Sequence, residues 1–214
     1  MTGPIDVDIH VDPACPWAWL TSRWLAEVAT VRPVRVRTRL FVLAEINRGA
    51  EPDEGHERIH RASGAALRLM AAARRAGGEA ALARAYTELG EAHHERGQAL
   101  DDPAVLAGAA AAAGLATSLA GEAASGDDPS LDEEVLAEHA AIGERGAFGV
   151  PTLVVGDAPP TFGPVVDRRV TGEAAGELWD RVAWLLTEGA FFELKRERRH
   201  RPGIGRYAVT AAAG

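Results

Sequence analysis

The chain contains one cysteine, Cys15, and its position favours a reactive thiol. It follows the alternating apolar and polar run 5–11, which is typical of a strand, and it directly precedes Pro16. Proline is well tolerated at the first position of a helix, so a helix is predicted from about 16 to 29. The sulfur would face unpaired N–H groups at the positive end of the helix dipole, which lowers a cysteine pKa from about 8.5 to about 3.5–7.5. Isolated cysteines are often inert core residues, but core cysteines do not usually precede a proline that opens a helix, so Cys15 is predicted to be a nucleophile.

A second motif, His56-Glu57-Arg58-Ile59-His60, matches the H-E-x-x-H pattern in which two histidines one helical turn apart hold zinc. The surroundings of a catalytic zinc helix are largely apolar, whereas Arg58 and Arg61 place charge here. A third ligand would have to come from His93-His94, in an Ala-, Glu- and Arg-rich segment without a defined ligand spacing. We therefore predict a solvated first turn of a helix and no metal site.

Hydrophobic patterning predicts the elements that position Cys15. Alternation returns at 34–40, which indicates a second strand, parallel to the first because a helical crossover joins them. Residues 52–141 are rich in Ala, Glu and Arg, with boundary signals that predict four or five helices. The strand pattern resumes at 151–155 and 162–166 as a hairpin, and a last helix follows at about 172–188. This order predicts an α/β protein with a thioredoxin-like fold and an all-helical insertion between strand two and the Pro151 strand.

The predicted domain organisation follows from the same order. Residues 1–48 and 142–192 form the thioredoxin-like domain, residues 49–141 form the helical insertion, and residues 193–214 form a tail that is first basic and then Ala-rich. The basic run 195–201 is interpreted as a solvated segment, because runs of this length are usually tails or helix ends.

Composition limits the classes of binding partner that we expect. The chain has 214 residues, is 47% hydrophobic and carries a formal net charge of -8, so it can bury a core but has no positive field to attract nucleic acid or an anionic membrane. The first eight residues contain neither a basic start nor a long apolar stretch, so we expect a cytoplasmic protein without a signal peptide or membrane span. With one cysteine, any disulfide must form with another molecule, and small-molecule or protein partners are expected.

Two motifs resemble a known family. Cys15-Pro16-Trp17-Ala18-Trp19, after Val11-Asp12-Pro13, resembles the Cys-Pro-Trp-Cys active site of the mycothiol-dependent nitroreductases, a DsbA-like group. Gly149-Val150-Pro151-Thr152-Leu153 resembles the cis-proline loop of thioredoxin-fold enzymes. The likeness covers roughly residues 5–48 and 146–187. Further similar segments are 41–47, 162–165 and 178–180.

The resemblance implies that Cys15 is catalytic and that several residues bind substrate. These implied substrate-binding residues are Pro16, Trp17, Asn47, Val150 and Pro151. Trp19 either flanks the site or packs in the core, since it lies two residues further along the helix. From the residues alone a trans Val150–Pro151 bond is favoured, because cis occurs in about 5–6% of such bonds, whereas the resemblance implies cis. It also implies mycothiol or a similar thiol as co-substrate, no tightly bound cofactor, and a homodimer.

Ala18 departs from the family pattern, because dithiol members carry the resolving cysteine there. A mixed disulfide at Cys15 must then be released by an external thiol. The sequence therefore predicts a monothiol disulfide oxidoreductase that exchanges mixed disulfides between a mycothiol-like thiol and a small molecule or thiolated protein, and it does not favour nitroreduction. Two alternatives stay open. One is a non-catalytic thioredoxin-fold binding protein; the other is an activity like that of kappa-type glutathione transferases or chromene-carboxylate isomerases.

Overall fold

A computed structural model describes residues 3–49, 54–190 and 192–207, without the side chains of residues 56 and 205–207, and is built on a four-stranded sheet. The strands are β1 (Ile5–Val11), β2 (Val34–Leu40), β3 (Thr152–Val155) and β4 (Thr161–Phe162). Their order across the sheet is β2-β1-β3-β4. β2 is parallel to β1 and β3 is antiparallel to it, as expected when a helix joins the first pair. The predicted thioredoxin-like sheet is confirmed.

Helix α1 (Pro16–Val31) makes the crossover between β1 and β2, and it forms the centre of the core. Its fully buried apolar side chains are Ala18, Trp19, Leu20, Trp24, Leu25 and Val28. The indole N–H of Trp24 donates a hydrogen bond of 3.2 Å to the carbonyl of Ala175 in α7 (Gly172–Thr187), and the Trp24 ring lies 6.1 Å from that of Trp179. α1 and α7 therefore pack on the same side of the sheet and hold the start of α1 in place.

The insertion between β2 and β3 is helical, as predicted. Its elements are α2 (Leu43–Ile46), α3 (Glu54–Gly90), a π-helical turn (Glu91–Glu95), α4 (Pro103–Ala112), α5 (Ser118–Ser125) and α6 (Pro129–Glu144). The boundary expected near 77–78 is a kink inside α3, where Gly78 has a φ of 71°, a value that favours glycine. α6 extends three residues beyond the predicted end of the insertion at 141.

Ion pairs join the insertion to the sheet and to itself. Arg39 of β2 contacts Glu79 of α3 at 2.8 Å, and Arg74 of α3 contacts Glu138 of α6 at 2.6 Å. Arg39 of β2 thus faces the insertion, while Val7, Ile9 and Val11 of β1 are buried in the core. Among the described residues, no helix is long and apolar enough to span a lipid bilayer.

Two predictions for the second half of the chain need correction. The strand expected at 162–166 stops at Phe162, because Pro164 has no N–H to donate to a ladder. The tail expected at 193–214 contains a strand, β6 (Gly203–Tyr207), which pairs in parallel with β5 (Arg168–Arg169). The sequence did not predict this pairing, because β5 has only two residues and β6 contains two glycines, which are depleted in strands.

Candidate active site

Cys15 is the N-cap residue of α1, and Pro16 occupies the first helical turn, as the sequence predicts. The backbone N–H of Cys15 donates to the carbonyl of Asp12 at 2.9 Å, which closes the turn between β1 and α1. The Cys15 sulfur accepts a hydrogen bond from the backbone N–H of Ala18 at 3.4 Å. The cysteine therefore satisfies one of the N–H groups that a helix start leaves unpaired.

The loop before β3 forms the other side of the site. The Val150–Pro151 bond is cis in the structure. The Cys15 thiol lies 3.7 Å from the carbonyl oxygen of Val150, to which it donates. The Thr152 hydroxyl donates to the Gly149 carbonyl at 2.7 Å and so braces the loop. The fold thus brings together four of the predicted site residues, Cys15, Pro16, Val150 and Pro151.

The pKa of Cys15 differs from the sequence expectation. Only 7% of the residue is exposed, and burial raises the pKa of its thiol above the ordinary value. The N–H groups of Ala18 and Trp17 act in the opposite direction, as does the charge of Arg198, while the charge of Asp12 adds to the increase. The predicted lowering is therefore wrong for this conformation, because the helix start accounts for only part of the environment and burial outweighs it.

A buried carboxylate, Asp12, organises the cysteine loop. Its oxygens accept hydrogen bonds from the N–H groups of Ala14 and Leu43, both at 2.9 Å, and from the hydroxyl of Ser63. Burial raises the pKa of this carboxyl, while the hydrogen bonds from Ser63, Leu43 and Ala14 act in the opposite direction. Asp12 thereby connects the end of β1, the start of α2 and helix α3. The sequence reading quoted Asp12 only as part of the turn and missed this role.

The π-helical turn supports the cysteine loop from the insertion side. His94 lies 2.8 Å from the carbonyl oxygen of Pro13, and burial lowers the pKa of His94 to about 4, so the ring is neutral at pH 7 and donates this bond. The Trp19 indole N–H donates to Glu95 at 3.2 Å. Trp19 is fully buried, which places it in the core rather than in the site. π-helical turns are frequent at functional sites.

Trp17 lies at the mouth of the site and is partly buried. The guanidinium carbon of Arg198 lies 5.4 Å from the centre of the Trp17 ring, within the range of a cation–π contact. The basic run near the C-terminus is exposed, as expected, and its Arg198 also contacts Trp17. No signal in the sequence pairs these two residues, because they are far apart along the chain.

Asn47 lies at the end of α2, and His60 of the His-Glu motif lies in α3. Asn47 is exposed at the end of α2, and its side-chain nitrogen lies 3.4 Å from His60 Nε2, so a role in substrate binding stays a prediction. The side chain of His56 lies outside the described residues. Within the part of the chain that the structure describes, no group of three His, Cys, Asp or Glu side chains is arranged to hold a metal ion.

The fold and this site define a DsbA-like thioredoxin-fold protein with a single cysteine at the start of its first helix. The Rv2466c-like family model, described as mycothiol-dependent nitroreductase Rv2466c, matches residues 14–196. The chain is also 33% identical over 192 residues to the uncharacterized protein Rv2286c of Mycobacterium tuberculosis, a match that covers 90% of this chain and 82% of the relative. The chain therefore belongs to the Rv2466c-like family of mycothiol-dependent nitroreductases.

Solved structures confirm the fold. A probable DsbA oxidoreductase from Streptomyces coelicolor has a TM-score of 0.54 at 20% identity, with 91% of this chain and 94% of that chain covered. The cytosolic disulfide reductase DsbM from Pseudomonas aeruginosa has a TM-score of 0.52 at 20% identity, with 84% and 96% covered. A 2-hydroxychromene-2-carboxylate isomerase has a TM-score of 0.56 at 21% identity, with 74% and 88% covered.

Proposed function

We propose that this protein is a thiol-disulfide oxidoreductase that works with Cys15 alone and uses a low-molecular-weight, mycothiol-like thiol as co-substrate. The observation that carries the proposal is the placement of the single thiol at the start of α1, 3.7 Å from the Val150 carbonyl. Family membership supports the thiol-dependent class and the choice of co-substrate. The same site geometry supports Pro16, Trp17, Val150 and Pro151 as substrate-binding residues.

The reaction proceeds by two thiol-disulfide exchanges. Cys15 loses its proton, and the thiolate attacks one sulfur of a disulfide; a bond forms between that sulfur and Cys15, and the other half leaves as a thiolate. A second thiolate from the co-substrate then attacks the bound half, forms a new disulfide with it and releases the Cys15 thiolate. No net electrons stay on the protein, so the cycle needs only the disulfide and the thiol.

Ala18 is the reason for a monothiol cycle. Its N–H lies 3.4 Å from the Cys15 sulfur, and its methyl group is fully buried beneath the site. A cysteine at this position would attack the mixed disulfide from within the molecule, whereas alanine leaves that step to an external thiol. We extend the proposal to a homodimer in the cytoplasm, where the reducing conditions keep an exchangeable thiol available. Residues 1–48 and 142–192 form the thioredoxin-like domain in this proposal.

A second candidate is an isomerase-type reaction in which an external thiol is the nucleophile and Cys15 stays protonated. The raised pKa of Cys15 and its donation to the Val150 carbonyl favour this candidate, because only a neutral thiol donates such a bond. The two candidates differ in their products. The first consumes thiol and yields a new disulfide, whereas the second returns the thiol unchanged.

A turnover assay separates them. The protein is mixed with a mixed disulfide of mycothiol and an aromatic thiol, and with excess reduced mycothiol, and both the released aromatic thiol and oxidised mycothiol are quantified. We expect the two products in equal amounts, at a rate above that of the protein-free mixture, and no increase over the protein-free rate with Cys15→Ser. A rate increase that Cys15→Ser retains would overturn the proposed function.

A further inference from the structure

The segment after α7 contacts the candidate active site through Arg198 and is anchored at its far end. We name residues 193–202 the C-terminal strap. At its far end the backbone N–H of Gly203 donates to the carbonyl of Asp167 at 2.7 Å, and His200 lies 3.3 Å from the Asp167 carboxylate. Between its ends the guanidinium of Arg198 lies over Trp17. The β5–β6 pairing thus holds a basic segment against the residue that follows Pro16.

The strap is basic, and one of its positive charges, that of Arg198, lies beside the thiol site. In the run 195–201 five residues are Lys or Arg and one is acidic, although the whole chain carries a net charge of -8. The acidic residue, Glu197, lies 3.8 Å from Arg199, with both side chains largely exposed. The charge of Arg198 reaches Cys15, whose pKa it lowers against the effect of burial. Arg198 thus brings one positive charge to a thiol that also experiences the negative charge of Asp12.

Arg198 is suited to bind an anion. A guanidinium that lies over an aromatic ring uses its face for the cation–π contact, and its N–H groups lie in the plane and point outward from the edge. That edge matches a carboxylate, which accepts two parallel hydrogen bonds.

We propose that Arg198 is a specificity-determining residue that binds a carboxylate of the disulfide substrate beside Trp17, so that the site prefers anionic disulfides to neutral ones. The inference rests on the proposed exchange chemistry at Cys15 and adds the charge class of the substrate. In the step concerned, the Cys15 thiolate bonds to one sulfur of the disulfide and the other half leaves as a thiolate.

The test compares two aromatic disulfides, the dianionic dithiobis-nitrobenzoate and the neutral dithiodipyridine. Rate constants for their reaction with Cys15 are measured by the absorbance of the released thiol in wild type, Arg198→Gln, Arg198→Lys and Arg196→Gln. The ratio of the two rates is the readout, because a change in the pKa of Cys15 alters both rates together. Arg196→Gln is the matched control, since it makes the same charge change two residues away on the strap.

We expect Arg198→Gln to lower the anionic-to-neutral ratio about threefold to tenfold, in line with the loss of one exposed charge pair. The anionic-to-neutral ratio of Arg198→Lys should lie between those of Arg198→Gln and the wild type, and that of Arg196→Gln should be close to the wild-type value. Added salt should lower the ratio of the wild type. An unchanged ratio in Arg198→Gln, or equal losses in Arg198→Gln and Arg196→Gln, would overturn the inference while leaving the proposed function intact. If the wild type reacts with neither disulfide, both the inference and the proposed function are overturned.

Discussion

The thiol of Cys15 donates a hydrogen bond to the carbonyl oxygen of Val150 across 3.7 Å, although 135 residues separate them in the sequence. This contact closes the site between the start of α1 and the loop before β3. Since only the protonated thiol donates, the contact favours the neutral form, as burial also does. In the proposed reaction Cys15 must give up this hydrogen bond and lose its proton before it attacks a disulfide.

The pH dependence of alkylation follows from the raised pKa of Cys15. Since the thiolate is the reactive form, the rate of modification by iodoacetamide should still be rising at pH 9, the ordinary pKa of the group, instead of levelling off below it. The rate is measured by intact mass spectrometry over a pH series, with the shape of the profile as the readout. A plateau reached at mildly acidic pH would show that the thiol is activated and that the burial argument is wrong.

Replacement of the buried carboxylate by Asp12→Asn should destabilise the protein and shift the alkylation profile. The amide offers one oxygen acceptor in place of two, so an N–H of Ala14 or Leu43 loses its partner, at a cost of about 1–3 kcal/mol in the free energy of unfolding. Because the charge of Asp12 raises the pKa of Cys15, the alkylation profile should also move to lower pH.

Urea unfolding and alkylation are measured on the same Asp12→Asn preparation. Ser63→Ala is the control for stability; it removes one donor to Asp12 and should cost less. Wild-type stability in Asp12→Asn would contradict the role of Asp12 in connecting β1, α2 and α3.

Ala18→Cys should convert the monothiol site into a dithiol site. Residues three apart on a helix lie about 5–6 Å apart, within the reach of a disulfide. After oxidation, the variant should lose the mass of two hydrogens, and any mixed disulfide at Cys15 should be released without added thiol. Ala18→Ser, of nearly the same size, should behave like the wild type. A mixed disulfide that persists in Ala18→Cys would show that the two sulfurs do not meet.

Gly90 is required where the insertion packs on the active-site helix. A Cβ atom added at Gly90 would lie 2.2 Å from the Trp19 ring, so Gly90→Ala should cost about 1–3 kcal/mol of stability through overpacking. Gly121 is the matched control, because it is an exposed glycine in α5 with nothing within 4 Å of an added Cβ. Gly121→Ala should stabilise by up to about 1 kcal/mol. Equal urea midpoints for the two variants would contradict the packing of Trp19 against Gly90.

The sequence predicted what depends on local periodicity. The alternation in 5–11 and 34–40 correctly predicted β1 and β2, and Pro16 correctly predicted the start of α1. These signals are local, because the strand period and the geometry of proline involve only a few residues. The thioredoxin-like fold followed from the order of these elements together with the likeness around Cys15 and Pro151.

The features that the sequence did not predict are long-range. The contact of Arg198 with Trp17 and the bond between His94 and the Pro13 carbonyl join segments far apart in the chain, and no local pattern encodes them. The predicted lowering of the Cys15 pKa was wrong for a related reason. The helix start is visible in the sequence, but the desolvation of the thiol arises from packing around it and is the larger effect.

The most direct test of the account is reversible mixed-disulfide formation at Cys15. Wild type and Cys15→Ser are incubated with oxidised mycothiol or oxidised glutathione, and intact masses are recorded before and after fresh reduced thiol is added. The account predicts one thiol-sized adduct on the wild type, its removal by the reduced thiol, and none on Cys15→Ser. The absence of any adduct on the wild type over hours would contradict it and would favour a thioredoxin-fold binding protein that no longer exchanges disulfides.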